Sequence, residues 1–222
     1  MEGGGEGLKA VTYFMVFILA LNVKDAFKER SKLREILAGV RWRHVGWALL
    51  TLTVVSAAAI VLTNILPKAL QWGWLQLLGA NGPAVTGAAA GTHVDRGHLH
   101  VLRYLMFFML AFAMPTLVLY EEKVFRHHAP QRSLAANIGM TVLFGLSHMI
   151  LGIPLHFALA IAAGGGIFLH VYQRYYTASG SLDDALMESS RVHLTYNYIL
   201  LGVLLLAMAV VDIGRFYFKL KG

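Results

Sequence analysis

The chain has 222 residues, 57% of them hydrophobic and 14% charged, with no cysteine and a formal net charge of +7. Its mean hydropathy of +0.60 is far above that of a soluble domain. The missing cysteines exclude disulfides, thiol nucleophiles and thiolate metal sites, and the placement of the positive charge argues against nucleic acid as a partner.

Segment 8–23 is apolar but short for a membrane span. It is not a cleavable signal peptide, because Glu2 and Glu6 precede it, no basic residue does, and no small-residue cleavage site follows. Lys24, Lys28, Arg30, Lys32, Arg34, Arg41 and Arg43 crowd the next stretch, which the positive-inside rule assigns to the cytoplasm. Phe27, Leu33, Ile36, Leu37 and Val40 recur among them at helical spacing, the pattern of a basic amphipathic helix lying on an anionic leaflet.

Five longer apolar runs follow, over 46–66, 101–124, 134–152, 156–175 and 193–216, each long enough to cross a bilayer. The expected fold is an all-α polytopic membrane helix bundle of about six transmembrane helices. Its connections are 67–100 outside, and 121–133 and 176–192 in the cytoplasm. The basic tail, with Arg215, Lys219 and Lys221, falls on the wrong side for this topology. A seventh span or re-entrant segment within 71–90 would repair the tail but reverse the later loops. Trp72 and Trp74 read as interfacial anchors, and Gly3–Gly7 and the glycine-rich 79–92 stretch as flexible pieces. No repeat or low-complexity linker divides the chain. Residues 1–100 form the N-terminal part with its basic and outer loops, and 101–222 the core that carries the polar motifs.

Those motifs are Glu121-Glu122-x-x-x-Arg126, Phe144-x-x-x-His148 and His193-x-x-x-Asn197. Ionisable groups inside membrane helices are costly and mark function by default. Four-residue spacing puts Glu122 with Arg126, Phe144 with His148, and His193 with Asn197 on shared faces. Glu121 points about 100° away from Glu122 around the helix. One carboxylate is thus held by an internal arginine and the other is left to face the bundle. Taken singly, the acids also read as solvated groups at a helix end, and each histidine as a packing residue. Depth ties them together: in an antiparallel hairpin of 101–124 and 134–152, Glu121 and His148 meet at one level, and His193 and Asn197 enter from the same side. Carboxylate, imidazole and amide groups in one dry cavity are the parts of a hydrolytic centre.

In order and spacing, these three motifs resemble the CPBP family of intramembrane glutamic proteases, which includes the CAAX prenyl endopeptidase and the bacterial Abi-type proteins. The lead-in Gly180-Ser181-Leu182 to His193 is similar too, and the resemblance covers roughly residues 100–200. It implies that Glu121 is the general base, that His148 helps to orient or deprotonate the water, and that His193 and Asn197 bind the tetrahedral oxyanion. Glu122 and Arg126 would be structural partners and Phe144 a supporting residue. It implies no cofactor and no metal. The substrate would be a membrane-associated peptide or protein tail, and the alanine- and glycine-rich composition points to a bacterial inner membrane.

Two other classes stay open. A non-catalytic membrane scaffold or chaperone of the same fold leaves Glu121 dispensable. A membrane haem protein would use His148, His170 and His193 as axial ligands, and leaves Glu121, Glu122 and Asn197 without a role. By ligand type, Glu121, His148 and His193 would also suit zinc. His98-x-His100, with His93 and Asp95, is a metal candidate in the outer loop, against a plain solvated loop. His127 and His128 face the headgroups, His156 follows Pro154 at a tight turn, and His170 has no assigned place. The Gly164-Gly165-Gly166 run reads as a site of close helix approach.

Overall fold

The computed structural model describes residues 30–73 and 96–214, with residues 13, 17, 20, 24, 27 and 28 and, for the backbone alone, 215–221; of 96–103 it likewise describes only the backbone. The described residues are helical and contain no strand. In chain order they form α1 (Arg30–Ala38), α2 (Trp42–Ile65), α3 (Arg96–Arg126), α4 (Leu134–Ser147), α5 (Leu155–Ser179) and α6 (Leu182–Lys221), with short 3-10 turns at Lys68–Leu70, Ala129–Gln131 and His148–Leu151. Five stretches are long and apolar enough to cross a membrane: Trp42–Ile65, Tyr104–Gln131, Leu134–Leu151, Leu155–Ser179 and Leu182–Gly214. This is an integral membrane protein built as a polytopic helical bundle. Apart from residues 13, 17 and 20, the short first span expected over 8–23 lies outside the described residues, as do the 71–90 alternative beyond residue 73, Trp74, His93, Asp95 and the side chains of His98 and His100.

α5 is the central helix, packed against α2, α4 and α6, while α6 also packs along α3 and α2. Small residues permit these approaches. A side chain at Gly145 would run into the Ala158 carbonyl and Ala162 of α5, and one at Gly164 would meet Val55 and Thr51 of α2. Two of the three glycines in the 164–166 run therefore serve close packing, as their composition predicts, and Gly166 faces open space. The outer surface carries Ile60, Phe108, Leu134, Ile150, Leu206 and Ile213, each more than half exposed, which is suited to lipid and would be an aggregation hazard in water.

The connections lie in two tiers. The turn between α3 and α4 is held by side chains that satisfy carbonyls left free at a helix end. Arg132 donates to the Phe125 carbonyl at 2.8 Å, Tyr172 to that of His127 at 2.8 Å and Asn137 to that of Ala129 at 2.9 Å. Ser133 caps α4 by accepting from the Ala136 N–H. At the same tier α5 ends at Gly180, whose φ of 69° only glycine adopts freely. Ser181 Oγ then accepts from the Asp184 N–H to start α6, with Asp183 and Asp184 in its first turn.

The 176–192 connection expected from hydropathy is thus a two-residue turn. Glu188, Ser189, Ser190 and Arg191 belong to α6 instead, and the first three are buried. Their polarity resembles that of a loop, but it is turned inward, and Glu188, Ser189 and Arg191 find partners there. The amphipathic helix α1 differs from expectation in a second way. Leu33 and Ile36 are buried against the bundle, Ile36 in one core with Met114, Val118, Tyr172 and Leu194, so protein rather than lipid covers that part of its apolar face.

Candidate active site

Glu122 is the fixed point. It is fully buried, and Arg126, one turn on, donates to its Oε1 at 2.6 Å. Ser189 Oγ lies 2.6 Å from Oε2 and His193 Nδ1 2.9 Å from Oε1. A carboxylate paired with arginine only accepts hydrogen bonds, so Nδ1 of His193 carries the hydrogen. Its Nε2 is thereby left facing Oε2 of Glu121 at 3.5 Å. The Glu121 side chain is 32% exposed against none for Glu122. The expected inequivalence of the two acids, one held by arginine and one free to face the interior, agrees with this geometry.

Aromatic rings close the site. Phe144 is buried, edge-on to Phe125 at 5.4 Å, to His148 at 5.0 Å and to His193 at 5.5 Å. Phe168 stacks on His193 at 4.3 Å. The Arg126 guanidinium carbon sits 4.3 Å from the centre of Phe144 and 5.3 Å from that of Phe168. Its Nη2 has no hydrogen-bond partner among the described residues, and the two ring faces supply the attraction that a further acceptor would give. Gly165 makes the room: a Cβ there would come within 2.7 Å of the Phe144 ring and 3.3 Å of Arg126 Nη2.

His148 and Asn197 stand one step further out. α4 ends at Ser147, and His148 begins the following 3-10 turn, its Nδ1 2.9 Å from the Phe144 carbonyl. It joins the group through the Phe144 ring and not through a direct hydrogen bond to Glu121. Asn197 Nδ2 donates to Met114 Sδ at 3.3 Å, a weak acceptor. Its neighbour Tyr198 donates to the Ala111 carbonyl at 3.0 Å. That carbonyl is four residues before Pro115, which has no N–H to offer it inside α3. The tyrosine therefore supplies the bond the proline removes, and pins α6 to α3 beside the site.

Ser189, Phe168 and Tyr198 escape a reading by motif. A signal for Ser189 exists, since it precedes His193 by four residues as His193 precedes Asn197, and all three share one stripe of α6. A second polar group lies outside the motifs altogether. Glu188 accepts from Arg43 at 2.8 Å, from His44 Nε2 at 2.9 Å and from Arg191 at 2.5 Å. Arg191 reaches on to the Glu35 carbonyl at 3.3 Å, and His44 Nδ1 accepts from the Arg41 N–H at 2.7 Å. With its carboxylate saturated, this group ties α1 and α2 to α6 and has no oxygen free for chemistry.

The remaining histidines are dispersed. His170 is exposed, against Trp47, His156 is buried in the first turn of α5, and His127 and His128 meet edge to face beyond the end of α3. Among the described residues no three His, Asp or Glu side chains are grouped closely enough to share a metal ion. No protein-family model matches the chain, and no curated protein or solved structure matches it either.

Proposed function

We propose that the protein is an intramembrane endopeptidase that hydrolyses a peptide bond in a membrane-associated peptide or protein tail, with Glu121 as the base that activates water. The observation that carries this reading is the division of labour between adjacent acids. Glu122 is saturated by Arg126, Ser189 and His193, whereas Glu121 is partly open and faces the one imidazole nitrogen that Glu122 leaves unused. A structural pair alone would account for Glu122 and would not require Glu121.

In this reading a water bound to Glu121 gives up a proton as it attacks the scissile carbonyl. That proton passes from Glu121 to the bare Nε2 of His193, which faces it, and the resulting Nε2–H together with the Asn197 amide meets the oxyanion before the proton goes on to the leaving nitrogen. Met114 Sδ is a poor acceptor, so Asn197 can exchange it for an oxyanion at little cost. His148, held by the Phe144 carbonyl at Nδ1, presents its other nitrogen to orient the water. Preorganised donors of this kind in a dry site are worth about 3–4 kcal/mol each at the transition state. The resemblance of the three motifs to the CPBP proteases supports the same assignment.

The end of the bundle that carries Arg126, Arg132, Arg174 and the basic residues of α1 is assigned to the cytoplasm by the positive-inside rule, and a bacterial inner membrane suits the composition. The test compares the membrane peptides of a deletion strain complemented with wild-type or Glu121→Ala protein. A peptide shortened only by the wild type identifies the substrate. Identical peptide sets would favour the scaffold reading.

A further inference from the structure

The seam between α2 and α5 holds His170 and Arg174, which neither the candidate site nor the Glu188 group uses, beside Arg43, which the Glu188 group engages from one side. The rings of Trp47 and His170 face each other across it at 5.6 Å, and one turn nearer the helix ends the Arg43 guanidinium lies 5.3 Å from the centre of Tyr175. These two rungs fix an antiparallel register that puts Arg174, four residues after His170 and on its face, level with Arg43. His170, Arg174 and Arg43 are exposed, and Arg174 has no partner among the described residues. Neither α2 nor α5 contains an aspartate or glutamate. Glu188 of α6 touches this seam through Arg43, and Arg191 and His44 also engage it.

We infer that this seam is a binding site for the phosphate headgroup of an anionic phospholipid, with Arg174 and Arg43 as the cationic contacts, His170 as a ring N–H donor, and Trp47 beside the upper acyl chain. The depth selects a lipid over a soluble ligand. Arg43 is in the first turn of α2 and Arg174 close to the end of α5, at the level where headgroups lie, and Trp47 is one turn deeper. The site gives His170 a role, and it holds whatever reaction the protein performs.

The chain has four tryptophans, so the triple variant Trp42→Phe/Trp72→Phe/Trp74→Phe leaves Trp47 as sole reporter. Reconstituted with phosphatidylglycerol or phosphatidylcholine brominated in the acyl chains, Trp47 should be quenched at a lower mole fraction of the anionic lipid, by on the order of fivefold per arginine engaged. Arg174→Gln should remove about that factor and Arg174→Lys should retain it. Equal quenching by both lipids, or selectivity unmoved by Arg174→Gln, would overturn the proposal. Relief of quenching by millimolar inorganic phosphate would assign the seam to a free anion instead, and relief by a soluble polyglutamate peptide to an acidic protein segment. If the triple variant fails to fold, native mass spectrometry of wild-type and Arg174→Gln protein from mixed-lipid bilayers decides the matter. Retained phosphatidylglycerol on the wild type, lost in the variant, is the expected result, and equal retention refutes it.

Discussion

His193 Nδ1 lies 2.9 Å from Oε1 of Glu122, and this bond orders the rest of the polar group. It fixes which nitrogen carries hydrogen, aims Nε2 at Glu121, and joins α3 to α6 at the level where Phe168 covers the ring. Because Arg126 and Ser189 hold the same carboxylate, none of the three partners can move without exposing a charge in an apolar interior.

Adjacent acids should therefore fail in different ways. Glu122→Gln leaves the buried Arg126 uncompensated, and breaking a pair of this kind costs about 3–5 kcal/mol. Thermal unfolding in detergent should show a large loss. Glu121→Gln should melt like the wild type and abolish turnover of the substrate. A Glu121→Gln protein with near-normal cleavage would remove it as the base.

The Tyr198 hydroxyl is predicted to matter only because Pro115 is there. Tyr198→Phe should cost about 1 kcal/mol, the net worth of one hydrogen bond to a buried carbonyl. In a Pro115→Ala background residue 115 regains an N–H for the Ala111 carbonyl, and the same change should cost measurably less. A double-mutant cycle on unfolding free energies reads the coupling, and strict additivity would show that the tyrosine does not serve the proline gap.

Glycine substitutions should separate by what stands opposite. At Gly145 a methyl group meets the Ala158 backbone carbonyl, and at Gly165 the enclosed Phe144 ring. Each alanine should cost on the order of 1–3 kcal/mol through overpacking. Gly139 and Gly166 face open space, and alanine there should be neutral or slightly stabilising. Equal melting temperatures for all four would show that the helices have slack to separate.

Exhaustive chelation should leave turnover intact. Both nitrogens of His193 face glutamates on a neighbouring helix, and Nδ1 of His148 is turned to the Phe144 carbonyl. Elemental analysis beside the assay checks this. Stoichiometric zinc, with activity lost on chelation and restored by metal, would replace carboxylate activation by a metalloprotease mechanism.

Five of the spans were legible in the sequence because hydropathy over twenty residues reports burial in lipid. The pairing of Glu122 with Arg126 and the contact of Phe144 with His148 were legible too, since four-residue spacing fixes a shared face. What hydropathy misjudged was α6. Glu188 and Ser189 look solvated until His44, Arg43 and Glu122 supply partners from other helices, and no local pattern encodes a partner 67 to 145 residues away. His44 had no signal, being one histidine in a basic stretch. The exposure of Glu121 depends on how α3 is rotated against α6, which its own helix does not determine.

The two-residue turn at Gly180–Ser181 makes α6 a continuous rod whose N-terminal turns serve two separate clusters, Glu188 toward α2 and Ser189 with His193 toward α3. Inserting or deleting a single residue between Glu188 and His193 would rotate everything beyond it by about 100° and so unseat one cluster while the other stayed in place. This stretch of the chain can change its letters but not its length. The three residues between Ala38 and Trp42 are under a similar restraint, because the Arg41 N–H, His44 and Glu188 close one loop across them. Length variants tolerated at residues 189–192 would mean that the two clusters are mechanically independent, with the helix between them able to absorb a register shift.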